Sequence, residues 1–238
     1  MATYLSKNDL EYTVDFGTDD DVLELSALFD FASEGSVKYF YDDLYTLDGT
    51  YPFPSTGIVE FSKYMSTVET QRIGDSLVDF DNDYYYKSTN SVVAKHNNKV
   101  IGAAICLPHN NVSLSPALQN FNDEKKAHLQ VYIDNKVADA WYIENFAVYS
   151  PFQLQGVGST ILQKVKEHAE SQSYDEVSTF VYDKNTDSKA FLESKGFSSD
   201  RTIDVSSHPF CQGISVSNIY RMRCSLWRHL ICSWMRTN

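Results

Sequence analysis

Between Ala147 and Lys164 the chain reads AVYSPFQLQGVGSTILQK, a hydrophobic run that turns straight into an amphipathic helix pattern. A β-rich run ends at Val148, and Pro151 marks a turn. The segment Gln153-Leu154-Gln155-Gly156-Val157-Gly158 then leads into Val157, Ile161, Leu162 and Val165, which share one helical side. Glycines at such a strand-to-helix turn let a ligand approach the backbone closely. The amides of the first helical turn have no partner inside the helix, and that end carries partial positive charge. The unit therefore commits this part of the chain to a strand followed at once by a helix, with an end suited to a pyrophosphate.

Two familiar glycine-rich phosphate sites do not fit. A dinucleotide fingerprint needs a third glycine and a place near the first strand, whereas this turn lies late in the chain and has two glycines. The lysine and hydroxyl of a P-loop are missing as well. The stretch instead resembles motif A of the GNAT acetyltransferase superfamily, Gln/Arg-x-x-Gly-x-Gly/Ala after a hydrophobic strand. A second element supports the likeness. Asn185 precedes Gly196-Phe197 in NTDSKAFLESKGF, similar to the family's Asn-helix-Gly-Phe segment, and the two elements stand in the family's order.

Composition narrows the rest. Hydrophobic residues make up 42% of 238 residues, enough for the core of one large domain. No run of about 18 apolar residues exists, so no membrane-spanning helix is expected. The first residues hold no apolar stretch, so no secretory signal is expected. The four cysteines (Cys106, Cys211, Cys224, Cys232) form no C-x-x-C pair, and the six histidines show no metal-ligand spacing. We therefore expect no metal, reduced thiols and a cytoplasmic protein. Residues 1–90 carry 18 acidic and 5 basic residues, so the net charge of −12 sits entirely in that part, and the remainder is near neutral. Such a surface argues against nucleic acid as a partner and suits a cationic one, although solubility alone accounts for it equally well.

Along the chain, Glu11 to Phe16 reads as a strand, and Asp19, Asp20 and Asp21 as the acidic start of a helix over Val22–Ala32. Residues 33–90, rich in tyrosine and aspartate, read as an elaboration with a helix near Ile58–Gly74. Ser91 to Leu107 is a hairpin turning at Asn97-Asn98, because paired asparagines tolerate positive φ. Pro108 to Asp123 reads as loop, and Lys125 to Ile133 fits either a strand or a short helix. Strands are expected at Ala140–Tyr149, Glu176–Tyr182, Asp200–Val205 and Val216–Cys224, and helices at Gly156–Ser171 and Asp187–Ser194. The basic, amphipathic end at 225–238 fits a helix docked on its own domain or on a dimer mate better than one on a membrane surface.

The resemblance carries definite expectations. It implies an α/β (α+β) fold over 1–224, a mixed and mostly antiparallel sheet of about seven strands flanked by helices. It implies acetyl-CoA in a wedge between splayed strands, with the backbone of Phe146, Ala147 and Val148 along the pantetheine arm. The amides of Gln153, Leu154, Gln155, Gly156, Val157, Gly158 and Ser159 would hold the pyrophosphate, and Asn185 the pantetheine or groove wall. Gln153 and Gln155 stand where cations are common in the family, a lack that Lys184 or Lys189 could partly offset.

The implied activity is transfer of an acetyl group to a primary amine, a cationic small molecule or a lysine side chain. Glu144 is the candidate base. Strand alternation places it on one face with Tyr142 and Phe146, and a half-buried carboxylate can be tuned toward proton transfer. Tyr142 is second choice. The family's usual acid, a tyrosine before Gly-Phe, is replaced by Leu192, which leaves Tyr182 as the nearest substitute. The alternative is a CoA-binding sensor or interaction protein with little turnover.

Overall fold

The computed structural model describes residues 2–6, 8–21, 24, 25, 28, 90–108 and 122–226. The tyrosine/aspartate-rich elaboration, most of the expected helix over Val22–Ala32, most of the loop after Pro108 and nearly all of the C-terminal extension lie outside these residues.

Eight strands form one sheet: β1 (Ala2–Leu5), β2 (Glu11–Phe16), β3 (Ser91–His96), β4 (Lys99–Pro108), β5 (Trp141–Val148), β6 (Glu176–Tyr182), β7 (Ser198–Asp204) and β8 (Asn218–Ser225). Their spatial order is β1-β2-β3-β4-β5-β6-β8-β7. Neighbours are antiparallel except β5 and β6, which run parallel. This is the expected mixed sheet with one strand more than expected. The β3–β4 turn holds Asn97 at φ 50° and Asn98 at φ 60°, the left-handed pair a two-residue hairpin needs.

Four helices accompany the described sheet: α1 (Asp123–Asn135), α2 (Val157–Ser171), α3 (Thr186–Ser194) and the short α4 (Pro209–Gly213). The ambiguous stretch at 125–133 is thus helical. Asn122 caps α1 by accepting from the Lys125 amide at 2.9 Å, and Asp123 and Glu124 fill its first turn. Helix α2 buries Val157, Ile161, Leu162 and Val165 in one cluster with Val14, Val92, Ala104 and Ile143 of the sheet. Each such side chain contributes about 1.5–3 kcal/mol by leaving water. Truncating Ile161 to alanine would cost about 2–5 kcal/mol, because a cavity is left as well.

The opposite face has two patches. Leu25 and Leu28 cover Val93, Val100, Ala103 and Ile105. Val131 and Tyr132 of α1 join Cys211 of α4 over Phe180, Tyr182 and Ile219. At the helix start before Leu25, Asp21 is buried, accepts from the Thr18 amide at 2.9 Å and pairs with Lys95 at 2.5 Å. Asp21, one of the three aspartates that introduce that start, therefore also fastens it to β3.

Candidate active site

Strands β5 and β6 pair at only three positions: Trp141 with Val177, Tyr142 with Ser178, and Ile143 with Thr179. The Thr179 hydroxyl donates to the Ile143 carbonyl at 2.8 Å and closes the apex. Beyond it β5 runs on to Val148 and β6 to Tyr182, with no further pairing between them. On its other edge β5 stays paired with β4 to the end, Phe146 with Ala104, Ala147 with Ala103 and Val148 with Gly102. The result is a wedge with Phe146, Ala147 and Val148 along one wall. Gly102 permits the tight wall, because a Cβ there would stand 3.0 Å from the Ala147 carbonyl and 3.1 Å from Ile161.

The turn after β5 delivers α2 to the wedge. Leu154 is left-handed at φ 60° and 98% exposed, and Gly156 is the N-cap of α2 at φ 96°. A Cβ on Gly156 would meet nothing within 4 Å, so its backbone conformation requires glycine while the space before it stays open. Gly158 differs. A Cβ there would touch the Phe146 and Phe191 rings at 3.5 Å, which stack on each other with centroids 5.6 Å apart. The two glutamines brace the turn: Gln153 Nε2 donates to the Val148 carbonyl and Gln155 Nε2 to the Pro151 carbonyl, each at 2.8 Å. Val157 is buried, so only its backbone can meet a ligand. Ser159 is half-buried in the first turn. Asn185 caps α3, its Oδ1 accepting from the Ser188 amide at 3.1 Å.

The cations expected to compensate for the glutamines are engaged elsewhere. Lys189 pairs with Glu193 at 2.6 Å and lies over the Tyr220 ring, and Lys184 donates to the Ile214 carbonyl at 2.7 Å. Both lysines are thus already partnered.

Glu144 sits at a bulge. Ile143 pairs with Cys106 and Asn145 with Ile105, so Glu144 is an extra residue without a β4 partner. The bulge reverses the side-chain alternation. Trp141 and Ile143 belong to the α2-side core, and so do Phe146 and Val148, although 143 and 146 differ by an odd number. Glu144 thus does not share the Phe146 face, as plain alternation would have it. It shares the Tyr142 face, where Lys136 Nζ lies 3.2 Å from Glu144 Oε2 and 4.0 Å from the Tyr142 ring centroid.

Tyr182 and Tyr132 complete this side of the opening. Burial pushes the Tyr132 hydroxyl well above the ordinary tyrosine range, with the adjacent Tyr182 hydroxyl and the Glu144 carboxylate adding to the shift. The fold therefore gathers Glu144, Tyr142 and Tyr182, and adds Lys136 and Tyr132, which sequence reasoning missed. The available signal was a lysine just past a stretch whose helical identity was open, hidden while 125–133 fitted strand and helix alike. Leu192 is buried in the core, so no hydroxyl stands at that position of α3. Among the described residues no group of His, Cys, Asp and Glu is arranged to hold a metal ion, and no helix is long and apolar enough to cross a membrane.

A mostly antiparallel sheet, splayed at its one parallel pair and with a glycine-opened helix at the splay, defines an acyl-CoA transferase architecture. Residues 60–197 match the sequence model of the acetyltransferase (GNAT) family, and the chain belongs to that family. No curated protein matches the sequence. Among solved structures, a crystal structure of an acetyltransferase shares 16% identity over 90% of this chain and 99% of its own, with a TM-score of 0.54. An N-acetyltransferase from Staphylococcus aureus Mu50 shares 16% over 89% and 99%, with the same score of 0.54. Arabidopsis thaliana Naa50, solved with the bisubstrate analogue CoA-Ac-MVNAL, shares 17% over 90% and 98%, with a TM-score of 0.47. At such identities the likeness concerns the fold alone.

Proposed function

We propose that the protein is an N-acetyltransferase that moves the acetyl group of acetyl-CoA to a primary amine, either a cationic small molecule or a lysine side chain. The observation that carries this reading is the wedge. β5 and β6 part directly beside a helix N-terminus opened by a glycine at φ 96°. The amides from Gln153 to Ser159 are the proposed pyrophosphate site, and the walls at Phe146, Ala147 and Val148 the proposed channel for the pantetheine arm, with Asn185 at its border.

In the proposed reaction the neutral amine nitrogen bonds to the thioester carbonyl carbon and the carbon–sulfur bond breaks. The nitrogen's surplus proton passes to Glu144, directly or through water. The departing thiolate takes a proton from Tyr182 or from solvent. Positioning and the base do most of the work, and a well-placed base contributes roughly 10²–10⁴-fold. Tyr142, on the same face, is the second candidate for handling that proton. A cytoplasmic setting with reduced thiols is part of the same reading. The C-terminal extension is proposed to dock on its own domain or on the mate of a homodimer.

A binding-only role draws support from Leu192, which leaves α3 without the hydroxyl of a thiolate acid. Thiol release from acetyl-CoA separates the two readings. The amine panel is spermidine, a lysine-rich peptide, an aminoglycoside and peptides with free N-termini. Turnover with any of them supports the transferase. Acetyl-CoA binding with no thiol release above the enzyme-free rate supports the sensor.

A further inference from the structure

We infer that Lys136 is a positioning residue for the reaction, holding the Glu144 carboxylate beside the apex of the wedge, one residue past the last β5–β6 pair. This rests on the reading of Glu144 as the group that takes the acceptor's proton. A bulged residue is aimed by its own backbone but is not steadied by a neighbouring strand. Glu144 is such a residue, and its side chain remains 27% exposed. Left alone, it would sample several rotamers at the edge of the cleft.

Lys136 removes that freedom. Its side chain is 7% exposed, which is rare for a lysine without a charged partner. Three features hold its ammonium. Oε2 of Glu144 lies 3.2 Å away, the Tyr142 ring face is 4.0 Å away, and Lys136 is itself the C-cap residue of α1, at the negative end of that helix. The α1 cap fixes the backbone too, since the Lys136 amide donates to the Ile133 and Tyr132 carbonyls. One rigid helix end thus carries a cation to one strand bulge. Among the described residues no other cation reaches salt-bridge distance of Glu144, and the ionisable groups facing it are Lys136, Tyr142, Tyr132 and, through Tyr132, Tyr182.

The pair has a chemical consequence for the acceptor. An unpaired carboxylate would grip an incoming ammonium ion and stabilise the form of the amine that cannot attack. A carboxylate already paired with Lys136 gives that ion less, so the amine loses its proton to solvent more readily and arrives neutral, and Glu144 stays placed to receive the nitrogen's surplus proton as the new bond forms. Lys136 acts through Glu144 and need not touch the substrate. A merely structural ion pair would not act in this way, and replacing one with an apolar side chain is often neutral.

The test is a double-mutant cycle on turnover, using acetyl-CoA and the fastest amine of the panel above. Lys136→Met keeps the stem and removes the charge. Turnover should fall about tenfold with the Michaelis constant for acetyl-CoA within about twofold of wild type, and Lys136→Arg should recover most of the loss. In a Glu144→Gln background the same Lys136→Met change should alter turnover by less than about twofold, because its target is gone. Multiplying losses would overturn the positioning role while leaving Glu144 in the mechanism. Wild-type turnover in Glu144→Gln alone would remove Glu144 and this inference together. Thermal melts confirm folding in each variant, and Lys136→Gln takes the place of Lys136→Met in the cycle should the latter fail to fold.

Discussion

Two glycines separated by one residue do different things, and a pair of substitutions tells them apart. Gly156 is left-handed with open space where a Cβ would be, whereas Gly158 is helical with two aromatic rings at ordinary contact distance. An alanine at 156 pays only backbone strain, about 1–2 kcal/mol. An aspartate there also sets a negative charge before the helix end, where a pyrophosphate would lie. Gly156→Asp should therefore weaken acetyl-CoA binding by about tenfold or more, given the size of helix-terminus charge effects at a partly buried site, while the protein stays folded. Gly158→Ala should leave binding within about threefold and raise stability by about 0.5 kcal/mol, because alanine favours the helix. Titration calorimetry with acetyl-CoA reads both. Equal binding in Gly156→Asp and wild type would remove the pyrophosphate from this turn. The same local reading explains Gln153 and Gln155. They look like lost phosphate cations in the sequence, yet their amides tie down two carbonyls of the turn that presents Gly156.

Helix α1 shows how an element can be well ordered and hard to read. Its inward positions include Lys125 and His128 instead of an apolar stripe, so hydrophobic periodicity is missing from its sequence. His128 is fully buried, with ring centroids of Tyr132 and His208 at 5.1 and 4.8 Å. Burial lowers its pKa to about 4, with His208 adding to the shift. An unfolded histidine titrates near about 6.5, so between about 6.5 and about 4 the unfolded chain binds the extra proton. Stability contributed by neutral His128 is thus complete above that window and is lost as pH falls through it, by up to about 3 kcal/mol. His128→Leu should flatten the fall in melting temperature between pH values of about 7 and about 4.5. An unchanged slope would assign the acid sensitivity to other groups. Asp200, whose pKa Arg221 and Arg223 hold at about 2, acts at lower pH, with its contribution present above about 3.9 and lost toward about 2. Other elements were legible for physical reasons. β2 falls at its expected residues, and the Asn97-Asn98 hairpin follows from φ preferences. Strand β1 was not foreseen, because its four residues show no alternating burial, and α4 is too short to set up a helical period. The bulge at Glu144 was invisible, since one unpaired residue leaves no mark on composition yet reverses every later side chain of β5. The wedge backbone and its helix end could thus be located from sequence, while the partners of Glu144 required the fold.

On the scale of the whole molecule, charge divides the chain. The first 90 residues hold 18 acidic and 5 basic side chains, against 14 and 15 in the rest. Part of the first group is structural, as Asp21 shows by its burial and its pair with Lys95 at 2.5 Å. In the described C-terminal part, ion pairs knit the sheet instead: Arg223 engages Glu176 and Asp200, and Arg221 engages Asp200 at 2.6 Å. If the remaining negative charge draws in a cationic acceptor, the two substrates should respond to salt differently. Exposed charges are screened over about 10 Å at about 0.1 M salt. Raising salt from about 0.05 to about 0.3 M should then raise the Michaelis constant of the amine several-fold, as attraction fades. Acetyl-CoA is anionic and meets a chain of net charge −12, so its apparent affinity should hold or improve. Neutralising Asp79, Asp81 and Asp83 together should reproduce the loss for the amine at low salt. Asp21 is excluded from the control, because its ion pair supports the fold, and neutralising Asp19 with Asp20 serves instead. Steady-state kinetics at fixed pH measures each constant. A rise in the amine constant that both sets of substitutions produce equally, or that neither produces, would make the acidic charge a matter of solubility and set aside a cationic acceptor.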